Sequence, residues 1–281
     1  MKREVMIDYP ALWRDLVELA DERRQQAGRG HEKDQWKGKA VEFEQRVKER
    51  WQQKDSSRDF LLQTLKDFPE STVLDVGAGS GAWASWLASH ALSITALDTS
   101  ASMLAQLHAR IAMENLKNVK VLAGCWPDIE VEAHDICFCS HSMYGAKDLA
   151  EFVLAMQKVC RKRVILLIRA PQDDGLMAQA ARLVWGHPYD SPNYQIAMQI
   201  LWQQGIFPNV VMEADKLWKP WTHSSQEEAL VELKSRLGLF TNAEWDEALK
   251  ELLEKNLQQE NGQNIWPAAM RTALLYWDIT R

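Results

Sequence analysis

Residues 75–81 read Asp-Val-Gly-Ala-Gly-Ser-Gly, a carboxylate followed by glycines at every second position, Gly77, Gly79 and Gly81. Without β-carbons this stretch can take positive φ and let a ligand approach the bare backbone. The amides left free where a helix then begins, near Ala82, are expected to point at that ligand. A second carboxylate, Asp98, stands at about the distance from the glycines expected of a ribose-binding acid. The chemistry these residues suggest is the holding of a nucleoside.

Such a turn works only between a strand and a helix. Val73–Val76 reads as a short buried strand, and the helix after the turn brings Trp83, Trp86 and Leu87 back onto a sheet. From Phe60 onward strands and helices alternate. Residues 93–98, 119–123, 136–139 and 163–168 read as strands, with helical segments at 82–90, 101–115 and 147–160 between them. Ser100 is placed to cap the helix that carries Met103, Leu104, Leu107 and Ile111. This alternation implies a parallel sheet covered on both faces, with ligands beyond the carboxyl ends of the strands where the strand order reverses.

Composition sets outer bounds. A chain of 281 residues that is 46% hydrophobic holds one large domain, or one domain with a helical extension. A net charge of −6 argues against a general nucleic-acid binder. The longest apolar run, Val164–Ile168, is far too short to span a membrane, and residues 1–8 lack the apolar core of a signal peptide, so a cytoplasmic protein is expected. Four cysteines, Cys125, Cys137, Cys139 and Cys160, fit reduced thiols. On a strand, Cys137, Cys139 and His141 would share a face and could ligate a metal. With no second cluster at ligand spacing, packing of a buried strand is the reading preferred, and no metal is expected.

The glycine turn admits two ligands. Gly77, Gly79 and Ala82 satisfy the relaxed GxGxxG/A dinucleotide pattern. Asp75, however, sits just before the glycines, where a pyrophosphate tolerates a carboxylate poorly and a cationic sulfonium ligand with an amino group suits it. The Asp-x-Gly-x-Gly-x-Gly run and the strand order that follows resemble the class I S-adenosylmethionine (SAM)-dependent methyltransferases, over roughly residues 36–171 and more loosely to the C-terminus. The resemblance implies a seven-stranded, mostly parallel, doubly wound α/β sheet with an N-terminal helical arm and C-terminal helical insertions. It implies SAM as cofactor and S-adenosylhomocysteine as product, with Asp98 holding both ribose hydroxyls and Gly77, Ala78, Gly79 and Gly81 under the methionine part. Asp75, Thr99, Met103, Cys125, Trp126 and Ser140 complete the expected cofactor contacts. The family often has an acid after the third strand to bond adenine; Gly124-Cys125-Trp126-Pro127 stands there, so backbone amides and Trp126 are expected to take that role.

Ser140-His141-Ser142-Met143-Tyr144-Gly145 occupies the position from which the family builds the floor near the reactive methyl. His141 is the candidate to orient a nucleophile or accept its proton, and Tyr144 to shape the pocket or surround the sulfonium. The same place in nucleic-acid enzymes of the family often carries a recognisable Asn/Asp-Pro-Pro-Tyr/Phe motif, absent here, so a small-molecule acceptor is expected. Tyr144, Trp185, His187, Tyr189 and Tyr194 are the candidate acceptor residues, with the acceptor placed between 140–144 and the segment around 187–194. The other readings are a SAM-binding regulator or partner without turnover, a protein methyltransferase, and a nicotinamide oxidoreductase. Nothing in the sequence gives an oligomeric state.

Either side of this core the chain is helical. Residues 1–55 read as an arm or lid, with one helix over 11–27 (inner face Leu12, Leu16, Val17, Leu19 and Ala20). A second carries the stripe Trp36, Ala40, Phe43, Val47 and Trp51. Residues 56–281 read as the SAM-binding domain with helical insertions around 173–205 and 224–260, the second announced by capping boxes at Ser225/Glu228 and Thr241/Glu244. Residues 208–214 and 270–280 read as the last two strands. Seven of the thirteen tryptophans lie in the C-terminal half, most of them read as packing. Trp218–His223 reads as a loop with aromatic faces free.

Overall fold

The computed structural model describes residues 7–28, 34, 36–38, 41, 45, 47, 51, 52, 55–213 and 218–280. Its main sheet has seven strands in the order β3-β2-β1-β4-β5-β10-β6. These are β1 (Thr72–Val76), β2 (Ser93–Asp98), β3 (Val119–Ala123), β4 (His134–Ser140), β5 (Cys160–Pro171), β6 (Asn209–Met212) and β10 (Met270–Asp278). β1 pairs parallel with β2 and with β4, β2 with β3, and β4 with β5. The chain thus winds from β1 through β2 to β3 on one side, then returns to start β4 on the other. The reversal falls between β1 and β4, and the carboxyl ends of those two strands flank the crevice that such a reversal leaves.

The strands are apolar because both faces are covered. Val73, Ile94, Ala96, Ile136, Phe138, Ile165 and Leu167 are at most 1% exposed, and Leu61, Leu65, Leu87 and Leu107 reach them from the helices. Burying each large aliphatic side chain there contributes about 1.5–3 kcal/mol. The helices begin where short polar side chains can take up orphan amides. Asp55 accepts from Ser57 N at 2.9 Å, Ser100 from Met103 N at 3.1 Å and Asp148 from Glu151 N at 2.9 Å. Helix Ala101–Glu114 stops at Asn115, which takes the left-handed conformation at φ 54°.

By internal contacts the chain divides into two compact units. The second holds described residues within 32–168, 201–213 and 274–281, and contains the glycine turn and the apolar core just described. The first holds described residues within 1–31, 169–200 and 214–273. Its core joins Leu176, Ala180 and Ala181 of helix Leu176–Trp185 to Leu230 and Leu233 of helix Gln226–Arg236 and Leu249 and Leu253 of helix Asp246–Asn256. Helix Tyr9–Gln26 belongs to the same unit, with Asp8 as N-cap and Trp13, Leu16 and Val17 buried. Trp13 takes the innermost place that the sequence pattern gives to Leu12 and Leu19.

Several local expectations are corrected. A three-stranded antiparallel sheet in the first unit, β7 (Trp221–His223), β8 (Gln258–Glu260) and β9 (Gln263–Trp266), was not foreseen. It turns part of the expected Trp218–His223 loop into a strand, with Trp221 edge-on to Trp266 at 5.2 Å. The Ser225 cap forms, its hydroxyl accepting from Glu228 N at 3.1 Å, but Glu228 reaches back to Ser224 rather than to Ser225. The second capping box does not form: Asn242 accepts from Glu244 N, and the helix starts at Asp246 without a side-chain cap. The helix expected over 82–90 ends at Ala88, and that expected over 173–185 starts at Leu176. Of the arm's stripe, Ala40 and Phe43 lie outside the described residues, Trp36 is exposed, and Trp51 stacks edge-on against Trp83 at 4.9 Å.

The three glycines of the turn all have positive φ, yet their surroundings differ. A β-carbon on Gly77 would overlap the side chain of Ser142, and one on Gly81 would overlap Leu107, whereas one on Gly79 would meet nothing within 4 Å. Left-handed strain of about 1–2 kcal/mol applies at either site, and overlap adds about 1–3 kcal/mol at Gly77. Gly77→Ala is therefore expected to lower unfolding free energy by roughly 2–5 kcal/mol and Gly79→Ala by about 1–2 kcal/mol. Urea denaturation of the two variants checks the order; equal losses would contradict it.

Candidate SAM site

Three chain segments converge on the glycine turn. Gly77 N and Ala78 N both donate to Leu97 O, at 2.8 and 2.9 Å, and Gly81 N donates to Ala78 O at 3.0 Å. Gly79 N donates to Asp98 Oδ2 at 2.8 Å. The amides of the turn itself are thus engaged by Leu97 O, Ala78 O and the Asp98 carboxylate, upstream of the helix start near Ala82. What the turn offers is bare surface, and the open space is at Gly79.

Asp98 is 9% exposed and closes β2. Its Oδ1 accepts from Ser100 N at 2.8 Å while Oδ2 takes the Gly79 amide. A carboxylate has about four acceptor positions, so one on each oxygen remains for a vicinal pair of hydroxyls. Asp75 is 1% exposed, with no hydrogen-bond partner for Oδ2. Its pKa is pushed up to about 8, first by burial and then by the charge of Asp98. Such a group is neutral near pH 7 and lacks a cation to pair with. The amino group of SAM is a partner of the right sign. An orphaned buried oxygen, an open Gly79 and two spare acceptor positions on Asp98 therefore fit this cofactor.

The other wall comes from the end of β4. Ser142 donates its hydroxyl to Val76 O at 2.8 Å and lies 2.9 Å from Cys139 Sγ. Its side chain occupies the space that the missing β-carbon of Gly77 leaves. His141 sits at φ 55°, an unusual conformation for a residue with a β-carbon and one that often marks functional turns. Its amide bonds Leu167 O, and its Nδ1 is 2.9 Å from Tyr144 Oη. Met143 is fully buried beneath them. Ser140 ends β4, partly buried.

The remaining candidates distribute unevenly. Met103 is buried in helix Ala101–Glu114, whereas Thr99 and Cys125 are exposed. Trp126 is 9% exposed, and its indole N–H donates to Phe152 O at 3.0 Å, so its observed role is packing. Cys137 and Cys139 are buried in β4, and Cys137 is hydrogen-bonded to Cys160, which raises its pKa. Among the described residues no three potential ligands assemble into a metal cluster. Trp185, His187, Tyr189 and Tyr194 all fall in the first unit, while Ser140–Tyr144 fall in the second. Trp185, His187 and Tyr189 form a ladder with successive ring centroids 5.7 Å apart, and Tyr189 continues to Tyr9 at 6.2 Å.

One residue was missed by sequence reasoning. Asp34 accepts from Ser100 Oγ at 2.6 Å and from Ser102 N at 2.8 Å, at the start of the helix that follows Asp98. Its pKa is held well below the usual range, hydrogen bonds from Ser100, Ser102 and Trp36 outweighing burial, the largest single influence. No motif announces it; only a carboxylate at long range from a capping serine could have hinted at it.

Comparison with known proteins agrees with this geometry. Residues 73–163 match the family model of a methyltransferase domain. An uncharacterized protein of Haemophilus influenzae is 27% identical over 229 residues, covering 79% of this chain and 81% of its own length. The YcgJ protein of Bacillus subtilis shares the fold, with a TM-score of 0.50, 17% identity, and coverage of 79% of this chain and 97% of that one. Phosphoethanolamine N-methyltransferase 2 of Haemonchus contortus, solved with SAM, aligns at a TM-score of 0.49 with 19% identity, over 78% of this chain and 51% of its own. By that family model residues 73–163 form a methyltransferase domain, and the likeness to YcgJ extends its fold over most of the chain. Among the described residues no helix is long and apolar enough to cross a membrane.

The Asp75 carboxyl gives a signed prediction. Below about pH 8 the free protein carries the proton on Asp75, and pairing with an ammonium expels it. SAM affinity should therefore rise by up to about tenfold per pH unit between about pH 6 and pH 7.5, with close to one proton released per SAM. Asp75→Asn should flatten that dependence. Calorimetry in two buffers of different ionisation enthalpy reads both; a pH-independent affinity in the unsubstituted protein would remove Asp75 from the site.

Proposed function

We propose that this protein transfers the SAM methyl group by in-line displacement to a nucleophile on a small-molecule acceptor. The observation that carries the reading is the pair of buried carboxylates beside the open face of Gly79, one with an unpaired oxygen and one with two acceptor positions to spare. Bound SAM supplies a methyl group already activated by the sulfonium. Asp98 then orients the ribose, Asp75 receives the amino group, and Gly79 leaves room for the methionine chain. Alignment is the main demand on the protein, and a base matters only for a nucleophile that starts protonated.

His141 is the residue for that second task. With Nδ1–H donating to Tyr144, Nε2 is the basic nitrogen of the ring; with Tyr144 as donor, Nε2 carries the hydrogen. Tyr144 thus sets the tautomer of His141. Support for a small acceptor comes from the 140–145 segment, which lacks the nucleic-acid motif, and from the net charge of −6.

His141→Ala should lower turnover by about 10²–10⁴ if His141 is the base, and Tyr144→Phe by a smaller factor with a shifted pH profile. SAM affinity should stay within about twofold in both, because neither is assigned a bond to the cofactor. Turnover is followed as labelled methyl transferred from SAM to metabolite fractions. Unchanged turnover in His141→Ala would refute the assignment. Transfer to macromolecules alone would refute the small-molecule acceptor.

A further inference from the structure

We propose that Asp34 is a positioning residue of the cofactor site: through the hydroxyl of Ser100 it keeps the Asp98 carboxylate free to grip the ribose. That role rests on the reading of Asp98 as the ribose-binding acid, and it names what holds Asp98 ready. Asp34 lies 66 residues before Ser100 in the chain, outside every motif of the glycine turn. Asp34, Gly79, Asp98, Ser100 and Ser102 all belong to the second unit.

Each oxygen of Asp34 is engaged. Ser100 Oγ donates to Oδ1 at 2.6 Å, and Ser102 N donates to Oδ2 at 2.8 Å. Trp36 N, on the same segment as Asp34, donates to Oδ1 at 3.0 Å. Burial raises the pKa of Asp34, but these hydrogen bonds together hold it well below the usual carboxylate range, so the group stays ionised. An anion beside the first turn of a helix is also favoured by the helix dipole. Capping alone does not account for the contact with Ser100, because that serine already caps helix Ala101–Glu114, accepting from Met103 N at 3.1 Å.

What Asp34 adds is control of one hydrogen. A serine hydroxyl has a single donor and two acceptor positions. Ser100 spends one acceptor position on Met103 N and gives its backbone N–H to Asp98 Oδ1 at 2.8 Å. Its hydroxyl hydrogen goes to Asp34. One buried serine thus serves two carboxylates, its N–H given to Asp98 and its O–H to Asp34. If Asp34 released that hydrogen, the other carboxylate bonded to Ser100 is Asp98. A hydroxyl turned onto Asp98 would fill an acceptor position that a ribose hydroxyl needs. The Ser102 bond meanwhile pins the helix start from which Ser100 N reaches Asp98. Both effects leave the ribose-facing lone pairs of Asp98 in place and unoccupied before the ligand arrives, which is preorganisation.

The test is calorimetric titration of the full chain with SAM. Asp34→Ala should raise the Kd by about 2- to 30-fold, the range spanned by loss of one capping contact. Because the effect runs through Asp98, the same substitution on an Asp98→Ala background should cost no more than about twofold. Adding Ser100→Ala to Asp34→Ala should bring no further loss, since the hydroxyl that Asp34 restrained is then gone; a residue that only steadied the helix would show additive losses. Should Asp34→Ala fail to fold, Asp34→Asn carries the test. Its one side-chain oxygen can serve only one of the two donors, so a smaller loss in the same direction is expected. Unchanged SAM affinity in the Asp34 variant, or an equal loss on the Asp98→Ala background, would overturn the proposal alone. Absence of SAM binding by the unsubstituted protein would strike the cofactor reading and the proposal with it.

Discussion

The carboxylate of Asp98 is the knot that ties the glycine turn to the helix that follows it. It ends β2, holds the Gly79 amide with one oxygen and the Ser100 amide with the other. The shape of the glycine turn and the start of helix Ala101–Glu114 are thereby set by one side chain. Asp34 adds two bonds to the same helix start, and Arg110 bonds back from that helix to Ser80 O at 3.1 Å. Because Asp98 is fixed by backbone donors, its remaining lone pairs point where a ligand finds them without reorganisation, which is what makes a fixed dipole effective.

Asp75 stands beside it under the opposite regime. Two carboxylates in one buried region cannot both remain charged at little cost, and Asp75, whose Oδ2 lacks a donor, keeps its proton. The region is thus neutral enough to fold empty and able to accept a cation by giving up that proton. Ser142 and Gly77 seal the junction of β1 and β4, where the chain reverses, and Cys139, pushed up to about 12 by burial above all, stays a thiol in that seal.

Much of this was legible in the sequence. β2 and β3 occupy the residues their alternation names, and β1 differs by one residue, because buried parallel strands are short runs of β-branched and aliphatic residues bounded by turns. Asp75, the three glycines and Asp98 are legible for the same reason: their spacing is a local property. The individual surroundings of the glycines were not, since the neighbour of Gly77 is 65 residues further along the chain at Ser142. Nor was the small sheet β7-β9-β8, whose strands include Gln258, Gln259, Glu260 and Asn264 and show no apolar alternation. Trp126 looked like a ligand surface, but an indole in a loop can as easily turn inward when a carbonyl such as Phe152 O is there to meet its N–H.

The central claim is that the Asp98 carboxylate, held by two amides, grips the ribose of SAM. Titration calorimetry of a folded Asp98→Ala variant with SAM tests it most directly. Loss of two charge-assisted hydrogen bonds predicts a fall in binding free energy of about 2–3 kcal/mol, roughly 30- to 150-fold in Kd. A folded variant that binds SAM as tightly as the unsubstituted protein would contradict the account.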